Sequence, residues 1–141
     1  MSQEQRIGRF RILSQEGAGG MGIIFLGEDE SLGRKAAIKL LSPDRLNDPK
    51  AVLRFQREAQ AAARLKHPNI AALYEMGEHD KRPYLAIEWV EGRSLEDFLR
   101  QGPVPLERAV RILEQVLLAL DYAHAQGVIH RDVKPANLML S

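Results

Sequence analysis

The chain has 141 residues, 45% of them hydrophobic and 28% charged, the size and balance of a soluble globular protein that can bury a sizeable core. Twenty Lys and Arg against nineteen Asp and Glu leave a net charge of +1, without the clustered single-sign charge of a nucleic-acid or membrane-surface binder. Cysteine is absent, which excludes disulfides, thiolate metal sites and a cysteine nucleophile, and fits a reducing cytoplasm.

The opening MSQEQRIGRF has no apolar core of the signal-peptide kind, and residues 1–9 read as an N-terminal extension. Arg9 to Leu13 is a short strand candidate, followed by the glycine cluster EGAGGMG and the apolar run Ile23 to Leu26. Asp29 to Arg34 carries turn chemistry, and AAIKLL, Ala36 to Leu41, reads as a buried strand. Pro49 to Lys66 has a helical period that ends at His67-Pro68. Ile70 to Met76 and Tyr84 to Val90 read as a hairpin joined by the polar loop GEHDKR. From Gly92 onward the pattern is helical. Ser94 with Asp97 predicts a capped short helix ending near Gly102, and Pro103 and Pro105 lead into a long helix over Leu106 to Gln126, stopped by Gly127. The longest apolar run in these helices, Val116 to Leu120, is far too short to span a membrane.

Gly17, Gly19 and Gly22 spell G-x-G-x-x-G, which a shuffled copy of this composition produces about 6% of the time, so context must decide its meaning. A dinucleotide-binding fold needs a helix directly after the glycines; here the β-branched IIFLGED follows, which predicts a glycine loop inside a hairpin. Such a loop can lie close over phosphates and donate N–H groups to them; the bland alternative is a flexible turn without a ligand. Lys39 sits inside an apolar strand, and Glu58 shares a helix face with Phe55, Ala62 and Leu65. Each is awkward alone. Pairing solves both problems and presents an ammonium to an anion, whereas the alternative is two side chains that reach solvent independently.

His130, Arg131, Asp132 and Asn137 complete H-R-D-x-x-x-x-N, a pattern expected by chance in only about 4 of 10,000 shuffled copies. Glycine loop, A-I-K, helix glutamate and HRDVKPAN in this order resemble the eukaryotic-type protein kinase family, and EGAGGMGIIF with HRDVKPAN looks most like its bacterial serine/threonine members. The likeness runs from about Phe10 to the last residue. It implies an α+β, protein-kinase-like fold: a small antiparallel β-sheet lobe with one helix over residues 10–91 with the hinge, followed by the incomplete start of a helical lobe over residues 92–141.

The resemblance also implies roles. Gly17, Gly19 and Gly22, with Ala18, Gly20 and Met21 in the same loop, would cover the phosphates of ATP. Lys39, braced by Glu58, would hold the α- and β-phosphates. Ile24 and Ala37 would cap the adenine from above and Met139 would lie beneath it, with Ile87 at the back and the backbone of Glu88 and Val90 along its edge. Asp132 would take or orient the proton of a substrate Ser or Thr hydroxyl, Lys134 would approach the γ-phosphate, Asn137 would bind Mg2+, and Arg131 would read a phosphorylated activation loop. Ile24 stands in place of the commoner valine, Ala36 in place of the valine of V-A-I-K, and Glu16 in a usually apolar place.

No D-F-G follows Asn137 in these residues. The expectation is therefore a truncated serine/threonine protein kinase domain, cytoplasmic, acting on proteins and inactive alone; the alternative is a short non-catalytic nucleotide-binding or interaction module. A small-molecule phosphotransferase fits the Gly17 to Gly22 loop, Arg131 and Lys134 less well. The helix over 106–126 is apolar around most of its circumference, through Val110, Ile112, Leu113, Val116, Leu117, Leu118 and Leu120, which predicts an exposed apolar patch and self-association.

Overall fold

The computed structural model describes residues 5–18, 22–128 and 138–140. Two units emerge, one of Met1–Arg64 with Ala72–Trp89, the other of Leu65–Ala71 with Val90–Ser141.

The first unit is built on a sheet of six antiparallel strands: β1 (Arg6–Ile7), β2 (Phe10–Ala18), β3 (Gly22–Asp29), β4 (Arg34–Leu41), β5 (Leu73–His79) and β6 (Arg82–Glu88), in the order β1-β2-β3-β4-β6-β5. Alternation along β4 divides its side chains between two cores. Ala36, Ile38 and Leu40 enter a cluster with Ile7, Phe10, Phe25, Tyr84 and Ala86. Leu41 enters the other, with Leu85 and with Phe55 and Ala59 of helix α1 (Pro49–Ala63). That helix starts as its sequence demands: Pro49 occupies the first turn and the Asp48 carboxylate accepts from the Lys50 N–H at 3.0 Å.

Turns fix the register. Buried Asp29 accepts from the Ser31 hydroxyl at 2.7 Å and from the Ser31 and Leu32 N–H groups, closing the β3–β4 turn. The Ser31 hydroxyl is the first cause of a carboxyl held below its usual range. Between β5 and β6 the six-residue loop expected over GEHDKR is a two-residue turn instead. Asp80 and Lys81 take φ of 49° and 65°, the left-handed pair that matches the twist of a hairpin, so Gly77, Glu78 and His79 stay in β5. Tyr84 is 3% exposed and donates to Glu75 at 2.9 Å, and Arg9 approaches the same carboxylate at 2.8 Å. Burial first, then Glu75, push the Tyr84 phenol up to about 12.

In the second unit β7 (Arg93–Ser94) pairs with β8 (Met139–Leu140), a ribbon too short to leave a periodic signal in the sequence. Helix α2 (Leu95–Arg100) begins at Ser94, whose hydroxyl accepts from the Asp97 N–H at 3.1 Å. Helix α3 (Leu106–Ala125) ends where Gly127 takes φ 80° and the Val128 N–H returns to the Ala123 carbonyl at 2.9 Å. The connection Leu65–Ala71 belongs to this unit: the Lys66 N–H donates to the Tyr122 hydroxyl at 2.9 Å, and the His67 and Tyr122 rings lie 5.3 Å apart. Along α3, Leu106, Val110, Leu113, Leu117 and Leu118 are exposed, Leu118 by 61%.

Candidate functional site

Strand register gathers the candidate residues of the first unit on one face of the sheet. Direct partners across an antiparallel pair share a face. Gly17 stands opposite Ile24, Ile24 opposite Lys39, and Lys39 opposite Leu85. One step along, Leu26 stands opposite Ala37 and Ala37 opposite Ile87. Gly17, Ile24, Leu26, Ala37, Lys39, Leu85 and Ile87 therefore form a continuous surface, while Ile38 and its neighbours fill the opposite core. Helix α1 packs on this face around Leu41 and Leu85, with Ile87 partly buried against the same cluster. Ile24 is left 40% exposed and Ala37 half-buried.

The Lys39 ammonium meets the Glu58 carboxylate at 3.0 Å. Their side chains are 29% and 46% exposed, so the pair is not a rescue of two buried charges. The inward stripe of α1 is Ala51, Phe55 and Ala59; Glu58 lies on its flank, beside the stripe and not on it. The expected face of Phe55, Ala62 and Leu65 was placed too far round, because α1 ends at Ala63 and Leu65 belongs to the other unit. A pair this exposed is worth about 0.2–1 kcal/mol to the fold. Its consequence is positional: a cation fixed on a mostly apolar surface and open to water, where an anionic ligand can reach it.

Phe55, named above only as a residue of the Glu58 face, also neighbours this cation, and Arg82, which the sequence did not single out, ties down the end of the Lys39 strand. The Phe55 ring lies 5.9 Å from the Lys39 ammonium, and its place one turn before Glu58 was a usable signal. Arg82 donates from Nε to the Leu41 carbonyl at 2.8 Å and holds the end of β4; a contact 41 residues apart leaves no local signal.

The glycines separate by their surroundings. A Cβ on Gly22 would stand 2.2 Å from the Leu40 carbonyl oxygen, so the close approach of β3 to β4 requires glycine there. A Cβ on Gly17 would meet nothing within 4 Å among the described residues, and its φ is not positive. Packing gives no reason for glycine at Gly17, and an approaching ligand would. Two register shifts, between Ile12 and Ser14 and between Gln15 and Gly17, bulge β2 on its way to this loop.

At the end of β6 the Glu88 N–H donates to the Ala72 carbonyl at 2.8 Å and the Glu88 carboxylate accepts from the Ala72 N–H at 3.0 Å. Val90 and Met139 belong to the second unit, half-buried and 44% exposed respectively. Gly19, Gly20, Met21, His130, Arg131, Asp132, Lys134 and Asn137 lie outside the described residues. Among the described residues no group of three or more His, Asp or Glu could hold a metal ion, and no helix is long and apolar enough to cross a membrane.

Comparison with known proteins agrees over nearly the whole chain. A family model for the protein kinase domain matches residues 10–141. The serine/threonine-protein kinase PrkC of Bacillus subtilis is 42% identical over 134 residues, which are 94% of this chain and 21% of the relative. The serine/threonine-protein kinase PknJ of Mycobacterium tuberculosis is 46% identical over 132 residues, 94% of this chain and 22% of the relative. The chain thus spans about a fifth of the length of these curated relatives. Among solved structures, the Mycobacterium tuberculosis PknI kinase domain superposes with a TM-score of 0.82 at 32% identity, covering all of this chain and 57% of that one. With a lysine–glutamate pair fixed on the face of an antiparallel sheet and bacterial serine/threonine-protein kinases as its relatives, the chain belongs to the protein kinase family.

Proposed function

We propose that these residues form the ATP-binding part of a serine/threonine protein kinase, which transfers the γ-phosphate of ATP to Ser or Thr hydroxyls of proteins. The observation that carries the proposal is the Lys39 ammonium, held at 3.0 Å by Glu58 on an otherwise apolar and partly open face. That arrangement suits an anion with an apolar base attached. Lys39 holds the α- and β-phosphates, the loop from Gly17 to Gly22 covers them, and Ile24, Ala37 and Ile87 offer apolar surface to the adenine. Because the Glu88 N–H is engaged by Ala72, the Glu88 backbone meets the adenine edge through its carbonyl. From the resemblance, Asp132 orients the substrate hydroxyl, Lys134 steadies the γ-phosphate, and Asn137 holds Mg2+, which when bound neutralises phosphate charge. Dependence on ATP places the work in the cytoplasm. The exposed leucines of α3 support association of the chain with itself.

The test is titration of a fluorescent ATP analogue, with Mg2+, into the 141-residue chain and its Lys39→Met and Glu58→Gln variants. Loss of a charge-assisted contact predicts at least about tenfold weaker binding for Lys39→Met and a smaller loss for Glu58→Gln. Equal binding by all three sinks the proposal. Phosphoryl transfer to casein is then assayed with the protein isolated from its own cells; nucleotide binding without transfer there favours the alternative of a non-catalytic nucleotide-binding module.

A further inference from the structure

The second unit carries a cationic site that nucleotide binding does not use. The Arg93 guanidinium lies 4.7 Å from the centroid of the Phe98 ring and the Arg108 guanidinium 4.5 Å from it. Two like charges gathered on one aromatic ring repel each other, and the ring face offsets only part of that. Carboxylates close at hand do not relieve it. Glu96 and Asp97, on the same short helix as Phe98, are both taken by Arg100, at 3.1 and 3.3 Å. Among the described residues neither Arg93 nor Arg108 has a carboxylate partner; Arg93 donates to the neutral Gln101 Oε1 at 2.7 Å, and Arg108 has the ring alone. Beside the ring is a shallow depression lined by Phe98, Gln101, Gly102 and Pro103.

We infer that Arg93, Phe98 and Arg108 form a docking site for an acidic segment of a partner protein. A guanidinium lying against a ring keeps N–H donors free for an anion; Arg93 spends one on Gln101 and Arg108 none among the described residues. Side chains already held against the ring lose less conformational freedom on accepting carboxylates than solvated ones would, and an anion offsets the two like charges. The depression beside Phe98 adds apolar contact for the stem of an acidic side chain. Recognition needs closely spaced carboxylates on an extended chain, the side chains of neighbouring Asp and Glu residues. That this segment belongs to the kinase's own substrate rests on the function proposed above; the docking itself does not.

The test uses three fluorescein-labelled twelve-residue peptides of one sequence, differing in a central triplet of Glu, of phosphoserine or of Gln. They are titrated by anisotropy into the full chain, into Arg93→Gln with Arg108→Gln, and into a control with Arg45→Gln and Arg57→Gln. The Glu peptide binds the unaltered chain at least about tenfold tighter than the Gln peptide, and the Arg93/Arg108 double variant loses that preference while the control keeps it. Tight binding of the phosphoserine peptide alone overturns the assignment to Asp and Glu. Equal binding of the three peptides, or equal loss in the control, overturns the site. Affinity for the fluorescent ATP analogue, measured on the same samples, stays unchanged in the Arg93/Arg108 variant, so a failure of docking and a failure of the nucleotide reading are told apart.

Discussion

Gly22→Ala and Gly17→Ala, the same chemical change five residues apart, should differ in effect: the first destabilises the fold and the second does not. At Gly22 the added methyl would lie 2.2 Å from the Leu40 carbonyl oxygen, 3.1 Å from its carbon and 3.3 Å from the Leu41 Cα. All three are backbone atoms of β4, which is flanked by β3 and β6 and cannot swing aside as a side chain could. Relief requires the strands to part by about 1 Å, overpacking of the kind that costs about 1–3 kcal/mol. Alanine's smaller unfolded-state entropy returns about 0.4–1 kcal/mol, so the net loss is about 1–2 kcal/mol. At Gly17 no atom of the described residues lies within 4 Å of the added Cβ and φ is not positive, so the entropy gain stands unopposed and stability is unchanged or rises slightly. Urea unfolding followed through Trp89, the only tryptophan and the last residue of the strand-rich unit, reads both variants. With a slope near that of small proteins, Gly22→Ala lowers the midpoint by roughly 1 M at unchanged slope. Gly17→Ala keeps its midpoint yet binds the fluorescent ATP analogue several-fold more weakly, because the new methyl occupies the space the phosphates need. An unshifted midpoint for Gly22→Ala, or a fall at Gly17 as large as at Gly22, refutes the reasoning.

Two further outcomes follow from other parts of the chain. The Tyr84 phenol is raised from 10.0 to about 12, so the folded state holds its proton over a window in which the unfolded chain has released it. Its contribution is complete below pH 10 and is lost as pH rises from 10 to 12, by about 2 kcal/mol; unfolding free energies at pH 9 and pH 11.5 should diverge between the unaltered chain and Tyr84→Phe by that amount, and parallel profiles would exclude it. Leu117 and Leu118 are 55% and 61% exposed on α3, and replacing both with Glu keeps good helix formers there. Sedimentation velocity should show association that grows with concentration for the unaltered chain and is weakened in the double variant; a monomer at all concentrations removes the self-association proposed above.

Local chemistry left the clearest marks on the sequence. Asp48-Pro49, Ser94 and Gly127 are capping residues whose role depends on the next three or four positions, and the helices begin or end beside them. Strand β4 was legible because a run of apolar residues between turn signals has few other uses. Contacts made at a distance were not legible. Strand β1 is two residues long and exists because Gly8, at φ 58°, folds it back onto Phe10. Ribbon β7–β8 joins residues 45 and 47 apart, Ser94 with Met139 and Arg93 with Leu140. The Asp80-Lys81 turn lacks the glycine that usually marks left-handed pairs, so both strands were read two to three residues too far from the turn, although at the right length. On Gly22 and Gly17 the sequence could state only that both are glycine; the neighbouring strand distinguishes them.

Lys39 and Glu58 show how a correct pairing can be inferred for an incomplete reason. In the sequence both charges seemed trapped in apolar surroundings, and the pair looked like the relief of a burial penalty of several kcal/mol. With 29% and 46% of the two side chains exposed, that penalty is largely absent, and so is most of the stabilisation its relief would bring. What keeps the ammonium in place is geometry supplied by others. Ile24 and Leu85 flank it across the sheet, Phe55 stands 5.9 Å away, and α1 brings Glu58 within 3.0 Å. A lysine buried deeply enough to need its glutamate for stability would be closed to a phosphate. A freely solvated one would not be held in position. Partial exposure is the condition under which a fixed cation can still exchange water for a ligand, and the pair keeps it even though α1 packs beside it around Leu41 and Leu85.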